Sequence, residues 1–160
     1  MDPRQVFRSA RLTGHSPTPD AQALYGALFG PDRGPARLSG DMQDLSRHAV
    51  APWVLSHADH AVGVGGFRIG FGGDGLELSF HFLPEVAGQG LASEFVQAAL
   101  DHGVGIFRED RFFAVVPTDT PVPLRVLEKA GFTRGRVVNG AHLMRLDLGQ
   151  RAPRPAARGG

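Results

Sequence analysis

The chain of 160 residues contains no cysteine. That absence removes disulfides, thiolate nucleophiles and zinc–cysteine sites together, so a group transfer carried out here would pass directly from donor to acceptor. Lysine is almost missing as well: Lys129 is the only one, and arginine carries the rest of the positive charge. No charge of one sign is in large excess. A formal net charge of +1 leaves no global basic field to gather nucleic acid or an anionic membrane. Tyrosine and tryptophan occur once each, as Tyr25 and Trp53, so aromatics do not interleave with clustered basic residues as a nucleic-acid-binding face requires. No apolar run approaches membrane-spanning length, and no signal-peptide core follows Met1-Asp2-Pro3-Arg4-Gln5, which makes the cytoplasm the expected location. A Walker-type phosphate loop is also missing, because no Gly-Lys is followed by Ser or Thr.

What is present has the size of one domain with a full core, and it is organised around residues 76–100. Leu76, Leu78, Phe80 and Phe82 alternate with Glu77, Ser79 and His81, the period-two pattern of a strand with two unlike faces. Pro84 ends that strand. Gly88-Gln89-Gly90 then opens a run with apolar residues at Leu91, Phe95, Val96, Ala99 and Leu100, the spacing of an amphipathic helix. A helix start leaves its first N–H groups without partners, and glycines ahead of it let a ligand come close to that backbone, so the junction predicts an anion cradle. A literal GxGxxG at Gly70, Gly72 and Gly75 lies between two strand-like runs and leads into no helix; it reads as a hairpin turn.

Phe82-Leu83-Pro84, Gly88-Gln89-Gly90-Leu91-Ala92 and, further on, Arg125-Val126-Leu127-Glu128-Lys129-Ala130-Gly131-Phe132 resemble the GNAT acetyltransferases, particularly the branch that includes the ribosomal-protein N-acetyltransferases. Arg11-Leu12 followed by Asp20-Ala21 and Leu24 is similar to the opening of that branch. The resemblance implies an α/β (α+β) GNAT fold, with a mixed, mostly antiparallel sheet of about six or seven strands, flanked by helices and splayed at the cofactor-binding strand. It implies one such domain over residues 1–148. It also implies acetyl-CoA as cofactor, its pyrophosphate on the amides of Gly88, Gln89, Gly90, Leu91 and Ala92, its pantetheine arm paired with the backbone of Phe82 and Leu83, and Ser93 as a further cofactor-binding residue. The partners implied are acetyl-CoA and an amine acceptor, with a homodimer as the assembly considered and no role for nucleic acid or membrane.

Several positions depart from the branch pattern. Ala87 stands where many members carry Gln or Arg, and Gln89 where many carry a base. Thr120 falls where an Asn is usual and Pro123 where a Ser is usual; a proline has neither hydroxyl nor N–H, so Thr120 alone could replace a cofactor hydrogen bond. The tyrosine that often protonates the leaving thiolate has no obvious equivalent, with Tyr25 in the first helix and Met144 in the last strand.

Along the rest of the chain, residues 1–8 read as a loose lead-in and residues 10–13 as a short strand. Asp20 is placed to cap a helix over residues 21–29. Gly and Pro over residues 30–40 predict a loop, with a short helix near residues 41–48. Residues 53–55 and 61–69 read as an antiparallel pair around the turn at residues 56–60, where His57, Asp59 and His60 fit exposed turn residues better than a metal site. Residues 111–116 form a buried strand ending at Pro117, and residues 125–130 a helix stopped by Gly131 with Phe132 folding back. Residues 134–138 and 142–148 pair around Asn139-Gly140. Residues 149–160 read as a disordered tail.

Amine acetylation needs a base or a water path, because the acceptor is mostly protonated at neutral pH. Glu77, on the polar face of the central strand, is the first candidate; its alternative reading is a solvated or salt-bridged glutamate. His81 shares that face and titrates near neutrality in its ordinary state, with a cross-strand structural role as the alternative. Ser79, between them, could orient the acceptor or a water. Glu94 lies near the glycines, yet an acid in a helix's first turn is explained by the macrodipole. The expectation is an acetyl-CoA-dependent N-acetyltransferase acting on a primary amine of a small molecule or peptide N-terminus, with a non-catalytic acyl-CoA-binding or sensing module as the alternative.

Overall fold

The computed structural model describes residues 2–70 and 75–149. Alternating and buried apolar runs give one sheet of eight strands: β1 (Val6–Arg8), β2 (Thr13–His15), β3 (Trp53–His57), β4 (His60–Ile69), β5 (Leu76–Phe82), β6 (Arg111–Pro117), β7 (Thr133–Val138) and β8 (Ala141–Asp147). Their spatial order is β1-β2-β3-β4-β5-β6-β8-β7. Every pair is antiparallel except β5–β6. That parallel step requires a crossover, and α3 (Leu91–Gly105) supplies it.

The expected six or seven strands become eight because the lead-in is not loose. Phe7 is buried and stacks on Trp53 at 4.9 Å, which draws residues 6–8 into an edge strand against β2; β2 itself starts three residues later than the strand expected at 10–13. The hairpin turns follow their local chemistry. Ala58 and Asp59 both have positive φ between β3 and β4, and Asn139 and Gly140 do the same between β7 and β8, the geometry of type I′ turns. Ile69 pairs with Leu76, so β4 and β5 are an antiparallel pair; residues 71–74, where the hairpin turn of the GxGxxG is expected, lie outside the described residues, as does the tail from residue 150.

Two expectations on the helical side are corrected. Asp20 does not cap the first helix: Pro19–Ala21 forms a 3-10 turn, and α1 (Gln22–Phe29) starts behind Ala21 with no side-chain cap. The glycine- and proline-rich segment is helical rather than a loop, since α2 runs over Arg33–His48. Pro35 sits in its first turn, where a missing N–H costs nothing. Gly34 is required by packing, because a Cβ there would lie 2.7 Å from the Tyr25 carbonyl of α1. The last helix, α4 (Pro121–Lys129), also starts earlier than expected, with Pro121 opening it. Gly131 at φ 108 and the Phe132 N–H to Leu127 carbonyl bond of 3.0 Å close it as the sequence implied.

The sheet divides the core. On one face α3 and α4 cover a cluster that includes Trp53, Phe67, Phe95, Phe112 and Met144. On the other, α1 and α2 cover a smaller cluster of Leu24, Tyr25, Leu38, Val54 and Val64. Because side chains alternate along β5, Leu76 and Leu78 enter the first cluster and Glu77, Ser79 and His81 face the α1–α2 hairpin.

Candidate active site

β5 and β6 pair only at Leu76–Phe112 and Glu77–Phe113. Beyond that point β6 continues beside β8 as far as Pro117, while β5 continues beside β4 as far as Phe82, so the sheet opens between them. A cavity of about 300 Å³ fills the opening, walled by Ser79, Phe80 and His81 on one side and Val116, Thr120 and Pro123 on the other. A larger one of about 530 Å³ continues past Phe82 to Gly88, Gly90, Leu91, Ala92 and Ser93, with Val122 and Val126 of α4 opposite. Together they form an apolar cleft of ligand size with few polar groups.

The expected cradle lies at one end of that cleft. Gly88 and Gly90 take φ of 81° and 77°, a region that only glycine enters without strain. A Cβ at Gly88 would meet nothing within 4 Å, and one at Gly90 only an Arg11 guanidinium nitrogen at 3.6 Å. Among the described residues, no protein acceptor takes the N–H groups of Gly88, Gln89, Gly90, Leu91, Ala92 or Ser93. These amides are the unpartnered start of α3, and they fit an anionic ligand.

The pantetheine strand is available on one of its two expected residues. Leu83 is committed: its N–H donates to the Val62 carbonyl at 2.8 Å and its carbonyl accepts from Val86 at 3.1 Å. Backbone groups alternate across an antiparallel ladder, so Phe82 turns its own N–H and carbonyl toward the open edge. Thr120 lines the opening, with its hydroxyl proton donated to the Pro117 carbonyl at 2.7 Å; its oxygen lone pairs are left to accept.

Of the three candidates on the polar face, the structure brings Ser79 and His81 to the opening, while Glu77 lies where β5 and β6 are still paired and does not line it. Ser79 Oγ is buried without a hydrogen-bond partner among the described residues. The His81 ring is reached by solvent through the open cleft, yet protein surrounds it beyond that opening, with Phe29 edge-on at 4.8 Å. Desolvation, reinforced by the charges of Arg37 and Arg68, lowers its pKa to about 4; solvent access moderates the size of that shift and leaves its direction. His81 is therefore neutral at pH 7.

Three residues take roles that local sequence did not disclose. Glu94 is more than a dipole partner. Its carboxylate accepts from Ser9 Oγ at 2.6 Å, from the Arg11 N–H at 2.7 Å and from Arg11 Nε at 2.7 Å. Partial burial opposes its ionisation, but these bonds outweigh that and hold its pKa below the usual glutamate value. Arg11, so held, stands beside Gly90 and puts a cation next to the cradle, where Gln89 lacks one. Tyr25 is fully buried and donates to Asp41 Oδ2 at 2.7 Å, so the single tyrosine is a core strut. Burial chiefly raises both the Tyr25 and the Asp41 pKa. The only available signal for Arg11 and Glu94 was the Arg11-Leu12 likeness; their contact spans 83 positions.

No helix among the described residues is long and apolar enough to cross a membrane, and no cluster of three metal-ligating side chains occurs among them.

A family model described as an acetyltransferase (GNAT) domain matches residues 7–133. No curated protein sequence matches this chain. Among solved structures, a GNAT-family acetyltransferase from Bacillus anthracis is 17% identical, with a TM-score of 0.74 over 91% of this chain and 99% of that one. An acetyltransferase from Agrobacterium tumefaciens is 16% identical, with a TM-score of 0.72 over 88% and 92%. The spermidine N-acetyltransferase from Vibrio cholerae, solved with CoA and spermine, is 15% identical, with a TM-score of 0.70 over 88% and 97%. At such identities the structural likeness shows the fold, and the family match shows the lineage: the chain belongs to the GNAT acetyltransferase family.

Proposed function

We propose that this GNAT-family enzyme is an acetyl-CoA-dependent N-acetyltransferase of the ribosomal-protein N-acetyltransferase branch. Its acceptor is a primary amine that attacks the thioester directly. The observation that carries the reading is the convergence of two features on one cleft: the opening of β5 from β6 after Glu77, and the unpartnered amides of residues 88–93 at its end.

In this reading the amides of Gly88, Gln89, Gly90, Leu91, Ala92 and Ser93, with Arg11 beside them, hold the pyrophosphate. The open edge of Phe82 takes an amide of the pantetheine arm, and Thr120 accepts one hydrogen bond across the gap. When bound, acetyl-CoA supplies an activated thioester carbon. The chain's own residues then position the acceptor. Ser79 Oγ has an unused hydrogen-bonding capacity at the opening, and neutral His81 offers a ring nitrogen to an amine N–H. As the new C–N bond forms and C–S breaks, the amine proton leaves through water toward Glu77, which shares the polar face without lining the cavity. Glu77→Gln is expected to lower turnover mainly at pH values where free amine is scarce, with CoA affinity unchanged. Thiol release from an amine panel across pH measures this, and a uniform drop, or none, removes Glu77 from the path.

The commitment of Tyr25 to Asp41 and the full burial of Met144 leave neither as an acid for the thiolate. That favours a second reading, a non-catalytic CoA sensor. CoA bound without any acceptor-dependent thiol release would select it.

A further inference from the structure

The polar face of β5 continues onto β4, where Arg68 stands opposite Glu77 in the strand register. The α1–α2 hairpin brings Arg33 and Arg37 to the same place. The three guanidinium groups line a cavity of about 300 Å³ with Phe29, Ala36 and Gly40, and no carboxylate lines it. Their hydrogen-bonding capacity is largely unspent. Asp41 is 3.7 Å from Arg37 Nε, too far for a hydrogen bond, and it already accepts from Tyr25. Arg37 Nε is buried without a partner, as is Asp41 Oδ1. Among the described residues, no carboxylate lies within 4 Å of Arg33 or Arg68.

An arginine stays charged at all relevant pH and presents a planar fork of donors that matches carboxylate and phosphate oxygens. Three such forks around one cavity are a site for an anion. It adjoins the cleft through a single ring: Arg37 lies over Phe29 at 4.8 Å from its centroid, and His81 meets the same ring at 4.8 Å. An acceptor whose amine is at Ser79 and His81 can therefore reach the guanidiniums across the width of one phenyl ring. Resting on the N-acetyltransferase reading above, we infer that the acceptor is an amine bearing a carboxylate or a phosphate a few bonds from the nitrogen, with that anion bound by Arg33, Arg37 and Arg68. A polyamine, the acceptor type bound by the Vibrio cholerae structure of the same fold, would bring cations to this cavity and be disfavoured.

The test compares kcat/KM by thiol release for γ-aminobutyrate, n-butylamine and putrescine, and for phosphoethanolamine against ethanolamine. The two series separate a carboxylate site from a phosphate site. One charge-assisted bond is worth roughly a tenfold preference, so at least one anionic amine should exceed its neutral counterpart by about that factor, with putrescine lowest. The paired substitutions Arg33→Ala and Arg68→Gln should bring the ratio close to one, with CoA affinity as the check on folding. A parallel measurement follows the thermal midpoint with glutarate or inorganic phosphate at constant ionic strength and with CoA saturating, so that the amides of residues 88–93 are already occupied. It should rise for the parent protein and not for the paired variant. Neutral or cationic amines turned over as well as anionic ones, or a preference that survives the paired substitutions, would overturn the inference and leave the transferase reading intact. If no amine reacts at all, the transferase reading fails, and the midpoint shift by itself decides whether the anion site exists.

Discussion

Gly90 is where side-chain chemistry matters least and backbone access most. A glutamate there would put a Cβ at φ 77°, costing about 1–2 kcal/mol of backbone strain, and would set a carboxylate against a phosphate. The expected result for Gly90→Glu is a folded protein with a lowered thermal midpoint and CoA affinity reduced by about a hundredfold, close to 3 kcal/mol, measured by calorimetry. Unchanged affinity would place the cofactor elsewhere. His81 carries a pH signature. Its folded pKa lies below the ordinary 6.5, so the unfolded chain binds a proton that the native ring refuses. Its contribution is fully present above pH 6.5 and is lost as pH falls through the lowered folded value. His81→Gln should therefore flatten the fall of the thermal midpoint below pH 6.5. In the parent enzyme, no limb of the rate profile between pH 6 and 8 should be assignable to this ring; a limb that His81→Gln abolishes would show it titrating there.

At the scale of elements, the α1–α2 hairpin is held to the sheet by a buried polar contact as well as by Leu24 and Leu38. Tyr25→Phe leaves the Asp41 carboxylate buried without its donor, a loss of about 1–3 kcal/mol readable in denaturant midpoints. It should also weaken acceptor binding more than CoA binding, because the hairpin carries Phe29 and Arg37 and touches little of the cradle. Equal effects on both ligands would mean that the hairpin braces the whole cleft. Some of these elements were legible beforehand. β5 and the start of α3 follow from alternation broken by Pro84 and glycine, and the β7–β8 turn from Asn139-Gly140. α2 was hidden because Pro35, Gly34 and Gly40 depress its local propensity; contact with α1 stabilises it, and Gly34 is what permits that contact.

For the molecule as a whole, the open β5–β6 edge is an unpaired stretch of sheet that a bound ligand would complete. Ligand present at about a hundred times its dissociation constant stabilises the native state by about 2.7 kcal/mol, which for a chain of this size raises the thermal midpoint by roughly 5–10 °C. CoA should produce a shift of that order by scanning fluorimetry, and the hundredfold weaker binding of Gly90→Glu should reduce it to roughly 1 °C at the same CoA concentration. A shift undiminished in Gly90→Glu would show that binding does not use the cradle.

The sequence by itself determined what depends on near neighbours: the strand that ends at Pro84, the glycines that open α3, the helix stop at Gly131, and the absence of any cysteine to carry an acyl group. Only the tertiary structure decided what depends on residues far apart in the chain. It took β5 away from β6 beyond Glu77, spent the Leu83 amide on Val62, fastened Arg11 beside Gly90 through Glu94, and gathered Arg33, Arg37 and Arg68 behind Phe29. The reason is physical: propensity and periodicity act over a few residues, whereas a gap between strands or a cluster of like charges exists only once packing has fixed which distant segments lie side by side.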